Sequence, residues 1–356
     1  MKLEDLGFST WFQENSDSKL LNSTQPARVI SVYRDQYIIK NELGEISADV
    51  TGKLMFNAES ALDYPTVGDW VYAEYFDDNA FAVIHQVLPR KSVLKRKTPG
   101  KEIGFQALAA NIDTALIMQS LDRDFNLARL DRYLVMVHTA GIAPAVLLSK
   151  SDLVTAAEIK QKMLEIRQRT SINTVIPFSN LSGRGLSEIN DFLDPGMTYC
   201  LLGSSGVGKS SLLNSLLGAA VIRTQRVRES NGRGRHTTSL RQLLFLESGA
   251  MLIDTPGMRE LANFDIANGM STTFSEIEEL AAQCQFNDCS HEHEKGCTVL
   301  SALNEGTISR ERYRNFLKMK KENAFYEMSY REKRQRDKNF GKMVKNVMKD
   351  KRTRLP

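Results

Sequence analysis

Tyr199-Cys200-Leu201-Leu202-Gly203-Ser204-Ser205-Gly206-Val207-Gly208-Lys209-Ser210-Ser211-Leu212-Leu213 is the stretch whose reading decides the fold. An apolar run enters a glycine-rich turn of spacing G-x-x-x-x-G-K-S and leaves it as a helix-like segment. In a strand, loop, helix setting the glycines let successive backbone N–H groups close around an anionic oxygen, and the helix N-terminus adds its dipole. Lys209 would then reach the β- and γ-phosphates and the Ser210 hydroxyl would ligate magnesium, so Gly203 to Ser211 reads as a nucleoside triphosphate cradle.

Downstream, the apolar Met251-Leu252-Ile253 ends in Asp254-Thr255-Pro256-Gly257. An Asp at the C-terminal end of a strand suits a carboxylate that orders magnesium-bound water, and the amide of Gly257 suits a contact to the γ-phosphate. Between the two motifs lies Arg228-Glu229-Ser230-Asn231-Gly232-Arg233-Gly234-Arg235-His236-Thr237-Thr238. Its glycines and charges predict a mobile switch loop in which Thr237 or Thr238 completes the magnesium shell.

Upstream, strands and helices alternate: Ile112 to Met118, a helix over Asn126 to Thr139, Ala143 to Leu148, a helix over Ala156 to Arg169, Val175 to Phe178, and a short helix over Gly185 to Leu193. This order predicts a mostly parallel sheet with helices on both faces. Ser149-Lys150-Ser151-Asp152 follows one strand: the Lys150 stem can lie over a purine, and Asp152 can accept from N1–H and the exocyclic amine of guanine. Adenine lacks that donor pair. Ser179-Asn180-Leu181, after the next strand, is placed to meet the guanine carbonyl. These base-reading segments precede the phosphate loop, the reverse of the usual GTPase order, so the domain is expected to be circularly permuted.

Further towards the N-terminus, close-spaced runs of period two between Ala27 and Leu88 predict about five strands in a small OB-like barrel. Met1 to about Thr24 reads as polar and uncommitted, and Leu88 to Gly100 as a basic, proline-bounded connector. Towards the C-terminus, Cys284-x4-Cys289-x-His291-x5-Cys297 offers three thiolates and an imidazole, a full tetrahedral set for one structural zinc. His293 reads as an exposed neighbour. Ile308 to about Tyr330 is helix-like, with Tyr313, Phe316, Leu317 and Phe325 among basic residues, which suits either an RNA surface or the core face of the helix.

The expected architecture is a multi-domain α/β chain: an extension over 1–24, an OB-like β-barrel over 25–98, a circularly permuted P-loop GTPase domain over 99–265, and a zinc-binding helical domain with a basic tail over 266–356. Of the 47 Lys and Arg residues, 17 lie between Thr307 and Pro356 against 6 Asp and Glu there, while the rest of the chain is net acidic. A polyanion, above all nucleic acid, is the natural partner of such a tail. No stretch approaches the ~20 apolar residues of a membrane span, and Met1 to Asn22 has no apolar signal core. A cytosolic protein without membrane contact is therefore expected, and with no obvious pairing seam in the sequence a monomer is the default expectation.

The chain resembles the small ribosomal subunit biogenesis GTPases of the RsgA (YjeQ) family. Gly203 to Ser210, Asp254 to Gly257, Gly232 to Thr238 and the set Cys284, Cys289, His291 and Cys297 carry the resemblance. It implies a factor that binds the small ribosomal subunit and its rRNA late in maturation, hydrolyses GTP to GDP there with Mg2+, and leaves. A GTP-gated rRNA-binding module with incidental hydrolysis is the alternative. Met258 stands where many GTPases place the Gln that orients water, and the resemblance assigns that role to His236, beside Lys209 on the phosphates. Ser149 stands where the usual base motif has Asn; the shorter hydroxyl is expected to lose a bridge between base loop and phosphate loop.

Overall fold

The computed structural model describes residues 1–33, 36–97, 104–218, 241–254 and 269–327. Two compact units emerge, one of Met1–Arg96 with Phe105–Thr273, the other of Lys97–Gly104 with Phe274–Pro356.

The first unit opens with short helices α1 (Thr10–Glu14) and α2 (Ser18–Leu21). This corrects the reading of the extension as uncommitted, because Leu6, Phe8 and Phe12 are buried around Trp70. Phe8 meets Trp70 edge-on with ring centroids 4.7 Å apart, a contact worth about 0.5–1.5 kcal/mol beyond its buried area. The polar letters between these aromatics concealed a three-residue hydrophobic anchor.

The barrel follows as β1 (Gln25–Tyr33), β2 (Gln36–Asn41), β3 (Gly44–Val50), α3 (Gly52–Asn57), β4 (Trp70–Phe76) and β5 (Phe81–Val87). Its strand order is β1-β2-β3-β5-β4, closed by antiparallel pairing of β1 with β4. Alternate residues such as Val29, Ile39, Ala48, Val71 and Ile84 fill the interior, the period-two pattern expected of a sheet with one buried face. The expected five-strand OB-like barrel is present. The basic connector is not merely a connector: Val93–Lys97 forms β6 and pairs with β7 (Phe105–Ala110).

Next come β8 (Thr114–Ser120), α4 (Leu127–Thr139), β9 (Ala143–Ser149), α5 (Ala156–Arg169), β10 (Val175–Pro177), α6 (Leu186–Phe192), β11 (Thr198–Leu202), α7 (Lys209–Leu216), β12 (Arg241–Phe245), β13 (Met251–Asp254) and α8 (Gly269–Thr273). The sheet order is β10-β9-β8-β11-β13-β12, parallel throughout except for β12. Strand β11, which leads into the phosphate loop, thus lies centrally although it comes late in the chain. One apolar cluster packs beneath α4 and α5, with Ile117, Leu134, Val146 and Ile166, and a second beneath α6 and α7, with Leu116, Leu147, Leu201 and Leu213.

Barrel and GTPase sheet are continuous, because β12 pairs antiparallel with β1 through Ser31 to Gln242 and Val32 to Arg241. A buried arginine secures the junction. Arg28 donates to the carbonyls of Leu6 and Asn111, at 3.2 Å for the latter, and to Thr198 Oγ1 at 2.7 Å. Burial pulls its pKa down to about 10 against the opposing attraction of Asp113 and Asp69.

The second unit holds α9 (Ser275–Ala281), α10 (Thr298–Glu305) and α11 (Arg310–Glu327). Phe316 is buried against Phe274, with ring centroids 5.5 Å apart, so this aromatic belongs to the core face of α11. Arg310, Arg314, Lys318 and Lys321 are exposed, and their three- and four-residue spacing places them along one face. Among the described residues no helix is long and apolar enough to cross a membrane.

Asp69 is fully buried and its pKa is raised by burial, an effect that the charge and hydrogen bonds of Arg90 oppose. Arg90 grips both its oxygens at 2.7 Å. Replacing Arg90 with Met should cost about 3–5 kcal/mol by stranding a buried carboxylate. A lowered urea midpoint at pH 7 would register the loss, and an unchanged midpoint would contradict it.

Candidate nucleotide site and zinc centre

Parallel strands end together, so the loops after β8, β9, β10 and β11 and the C-terminal end of β13 gather at one edge of the sheet, where open α/β sheets take their ligands. The phosphate loop leaves β11 at Gly203, whose φ of 146° and position, with a Cβ only 2.6 Å from the Met118 carbonyl, admit no side chain. Gly208 caps α7 at φ 98°. Lys209 Nζ turns back on the carbonyls of Gly203 at 2.5 Å and Ser204 at 2.6 Å. Ser210 and Ser211 stand in the first turn of α7, and Asp254 ends β13, which pairs directly with β11.

The segments expected to read the base lie beside this loop. Ser149 ends β9, and its Oγ donates to the Val207 carbonyl at 2.7 Å. The expectation that a hydroxyl here would lose the bridge is therefore wrong. β9 comes near enough to the phosphate loop that two heavy atoms of side chain suffice.

Lys150 adopts the left-handed region at φ 59°, and Ser151–Leu153 forms a 3₁₀ turn on which Asp152 is exposed at the site's rim. Ser179 Oγ accepts from the N–H groups of Leu181 and Ser182 at 3.1 and 3.2 Å. That turn presents Leu181, 87% exposed, beside the Ser149 segment. Asn180 Nδ2 donates to the Gly208 carbonyl at 3.3 Å. Asn180 Oδ1 and Ser151 Oγ are buried without a hydrogen-bond partner. Buried polar atoms left unsatisfied are uncommon, and these two lie in the loops expected to receive a base. His236, Thr237, Thr238 and Gly257 lie outside the described residues.

Two carboxylates that the sequence reading passed over belong to this edge. Asp122 accepts from Lys150 Nζ at 2.6 Å, and Asp124 accepts from Ser204 Oγ at 2.9 Å. Their signal was the charged triplet Asp122-Arg123-Asp124 shortly after a buried strand at the ligand-binding edge. Partial burial raises the Asp122 pKa, but hydrogen bonds from Lys150, Ser120 and the Asp124 amide outweigh it and bring it down to about 2. Because the shift is downward, the interaction is complete above the ordinary carboxylate value and is lost only as pH falls towards 2.

In the second unit, Cys284, Cys289, His291 and Cys297 place their ligand atoms within 4.8 Å of one another. His291 Nδ1 lies 3.6 Å from the sulfurs of Cys284 and of Cys297, which are 3.8 Å apart. A tetrahedron built on ~2.3 Å zinc–sulfur bonds has edges of roughly 3.7 Å, so the set fits one structural zinc. Tyr313 Oη donates to the His291 carbonyl at 2.6 Å and steadies the backbone of the ligand loop. His293 is exposed, as expected.

A G-x-x-x-x-G-K-S loop on the central strand, the Ser149 and Ser179 loops on strands that precede it in sequence, and Asp254 at the end of its neighbour are arranged as in a circularly permuted GTPase. The sequence profile of the family described as RsgA GTPase matches residues 87–264. A relative from Vibrio parahaemolyticus named "Small ribosomal subunit biogenesis GTPase RsgA 2" is 38% identical over 353 residues, 99% of this chain and 94% of the relative. One of the same name from Lactiplantibacillus plantarum is 42% identical over 308 residues, 86% of this chain and 85% of that one. The crystal structure of YjeQ from Thermotoga maritima superposes with a TM-score of 0.62 at 26% identity, covering 84% of this chain and 98% of that one. YloQ, titled a circularly permuted GTPase, superposes at 0.61 with 22% identity over 85% and 95% of the two chains and supports the fold.

The chain belongs to the RsgA GTPase family, and it is a GTP-hydrolysing enzyme that works with Mg2+ and has a Cys3His set that fits one structural zinc. Metal analysis of the purified protein should return one zinc per chain, and Cys284→Ser should lower that stoichiometry to near zero with loss of helical signal. Retention of a full equivalent would remove Cys284 from the ligand set.

Proposed function

We propose that this protein binds the small ribosomal subunit through its rRNA, acts in the subunit's biogenesis, and hydrolyses GTP faster when bound there. The bond between Ser149 and Val207 carries the nucleotide half of the reading, since it holds a guanine-type base loop against a phosphate loop. The names of the near-full-length relatives support the ribosomal half. Gly203 to Ser211 holds the phosphates, Ser149 to Asp152 and Ser179 to Leu181 hold guanine, and Ser210, Asp254 and Thr237 or Thr238 complete the magnesium shell. Gly257 supplies a γ-phosphate amide and His236 orients the attacking water. The exposed basic residues of α11, together with the Lys- and Arg-rich sequence that follows it, supply the polyanion-binding surface. In this reading 25–98, 99–265 and 266–356 act as barrel, GTPase and zinc domains of a cytoplasmic monomer.

GTP turnover measured with and without purified small subunits, with ATP and large subunits as controls, tests the proposal. Small subunits alone should stimulate, with GTP alone. His236→Ala should then abolish stimulation by a factor on the order of 10³, as loss of a catalytic group does in other GTPases. Slow turnover in every tube, with GTP still altering subunit binding, would favour a GTP-gated binding module instead.

Base choice is separable from catalysis. Asp152→Asn should weaken GTP and improve xanthosine triphosphate, because the amide can donate where the carboxylate could only accept. Competition binding reads the ratio, and an unchanged ratio removes Asp152 from base recognition.

A further inference from the structure

The segment joining β8 to α4 touches both nucleotide loops with two different side chains. Asp122 Oδ1 is fixed by Ser120 Oγ at 2.7 Å and by the Asp124 N–H at 2.9 Å, which leaves Oδ2 to receive the Lys150 ammonium at 2.6 Å. Asp124 Oδ2 receives the Ser204 hydroxyl at 2.9 Å while its Oδ1 pairs with Arg129, also at 2.9 Å. Asn126, at the end of the segment, caps α4 by accepting from the Arg129 N–H at 2.9 Å. The carboxylates are thus anchored at both ends of a six-residue loop.

From this geometry we infer that Asp122 and Asp124 are positioning residues for nucleotide binding: Asp122 aims the Lys150 side chain across the base site, Asp124 holds the phosphate loop at Ser204, and together they preset the spacing between base and phosphate subsites. The inference deepens the guanine-nucleotide reading above and rests on it. Lys150 is a long side chain whose freedom would otherwise be lost when a base lands on its stem. With its ammonium already tethered and its backbone already left-handed, that ordering precedes the nucleotide, and preorganisation of this kind improves affinity without a new contact to the ligand. The charge-assisted bonds are individually strong enough to hold such an arrangement.

A double-mutant cycle on the full chain separates positioning from general loop stability. Asp122→Asn should weaken a fluorescent GDP analogue about tenfold, the order expected on losing a hydrogen bond to a charged group. In a Lys150→Met background the same change should cost less than about twofold, because no ammonium remains to be aimed. Equal losses in both backgrounds would assign Asp122 to loop folding, and no loss in the parent would leave it without a role; either overturns the inference.

If Asp122→Asn does not fold, Ser120→Ala removes one of the two hydrogen bonds that hold Oδ1, and its smaller loss should likewise vanish in the Lys150→Met background. A persistent loss there overturns the inference as well. Asp152→Asn measured alongside distinguishes the two levels. GDP weakened by Asp152→Asn but indifferent to Asp122→Asn sinks the brace alone, whereas GDP indifferent to Asp152→Asn sinks the guanine reading beneath it.

Discussion

Parallel pairing of β11 with β8 on one side and β13 on the other is the constraint on which the rest depends. Parallel strands run in one direction, so every loop at their C-terminal ends emerges at the same edge, whatever their order along the chain. Permuting that order costs nothing at the site. Base-reading loops made before the phosphate loop arrive beside it because β9 and β10 lie outside β8 in the same ladder. The ladder is also buried on both faces, which is why these strands are runs of Ala, Val, Ile and Leu without alternation.

Strand β12 joins this ladder as its one antiparallel member and continues it into the barrel. The junction is more than two backbone pairs. Ile30 of β1 shares an apolar cluster with Leu243 and Ile253, Lys40 lies 4.7 Å from the Phe245 ring centroid, and Arg28 ties the Leu6 carbonyl to Thr198 at the start of β11. Gly68, at φ 89°, fits beneath the Ala110 carbonyl where a Cβ would stand 2.2 Å away. Barrel and GTPase sheet therefore form one packed body in this unit, with β12 hydrogen-bonded to β1 of the one and β13 of the other.

Much of this was legible in the sequence because period and punctuation report local geometry. The glycines of 203–208, the alternation in the barrel and the Cys and His spacing each encode a shape that little else requires. Helix α5 begins where the pattern places it, since Thr155 and Glu158 form a capping box. What escaped depends on partners distant in sequence. Nothing local marks Leu6, Phe8 and Phe12 as the packing of Trp70, or β12 as the partner of β1. The reach of Ser149 to Val207 was misjudged because side-chain length is visible in a sequence and the distance between two loops is not.

The carboxylates at the nucleotide edge raise an electrostatic question, since Asp122 and Asp124 stand near loops read as holding polyphosphate. Their local pairing answers it. Asp122 is matched by Lys150 and Asp124 by Arg129, and Arg123 stands between the two carboxylates in sequence, so neither carboxylate is left as an uncompensated negative charge. At separations beyond the Debye length of about 8–10 Å such compensated pairs exert little field, while at contact distance each pair still fixes a direction. Charge is used here to orient Lys150 and Ser204, and cancelling it locally spares the phosphates the repulsion that two bare carboxylates would impose.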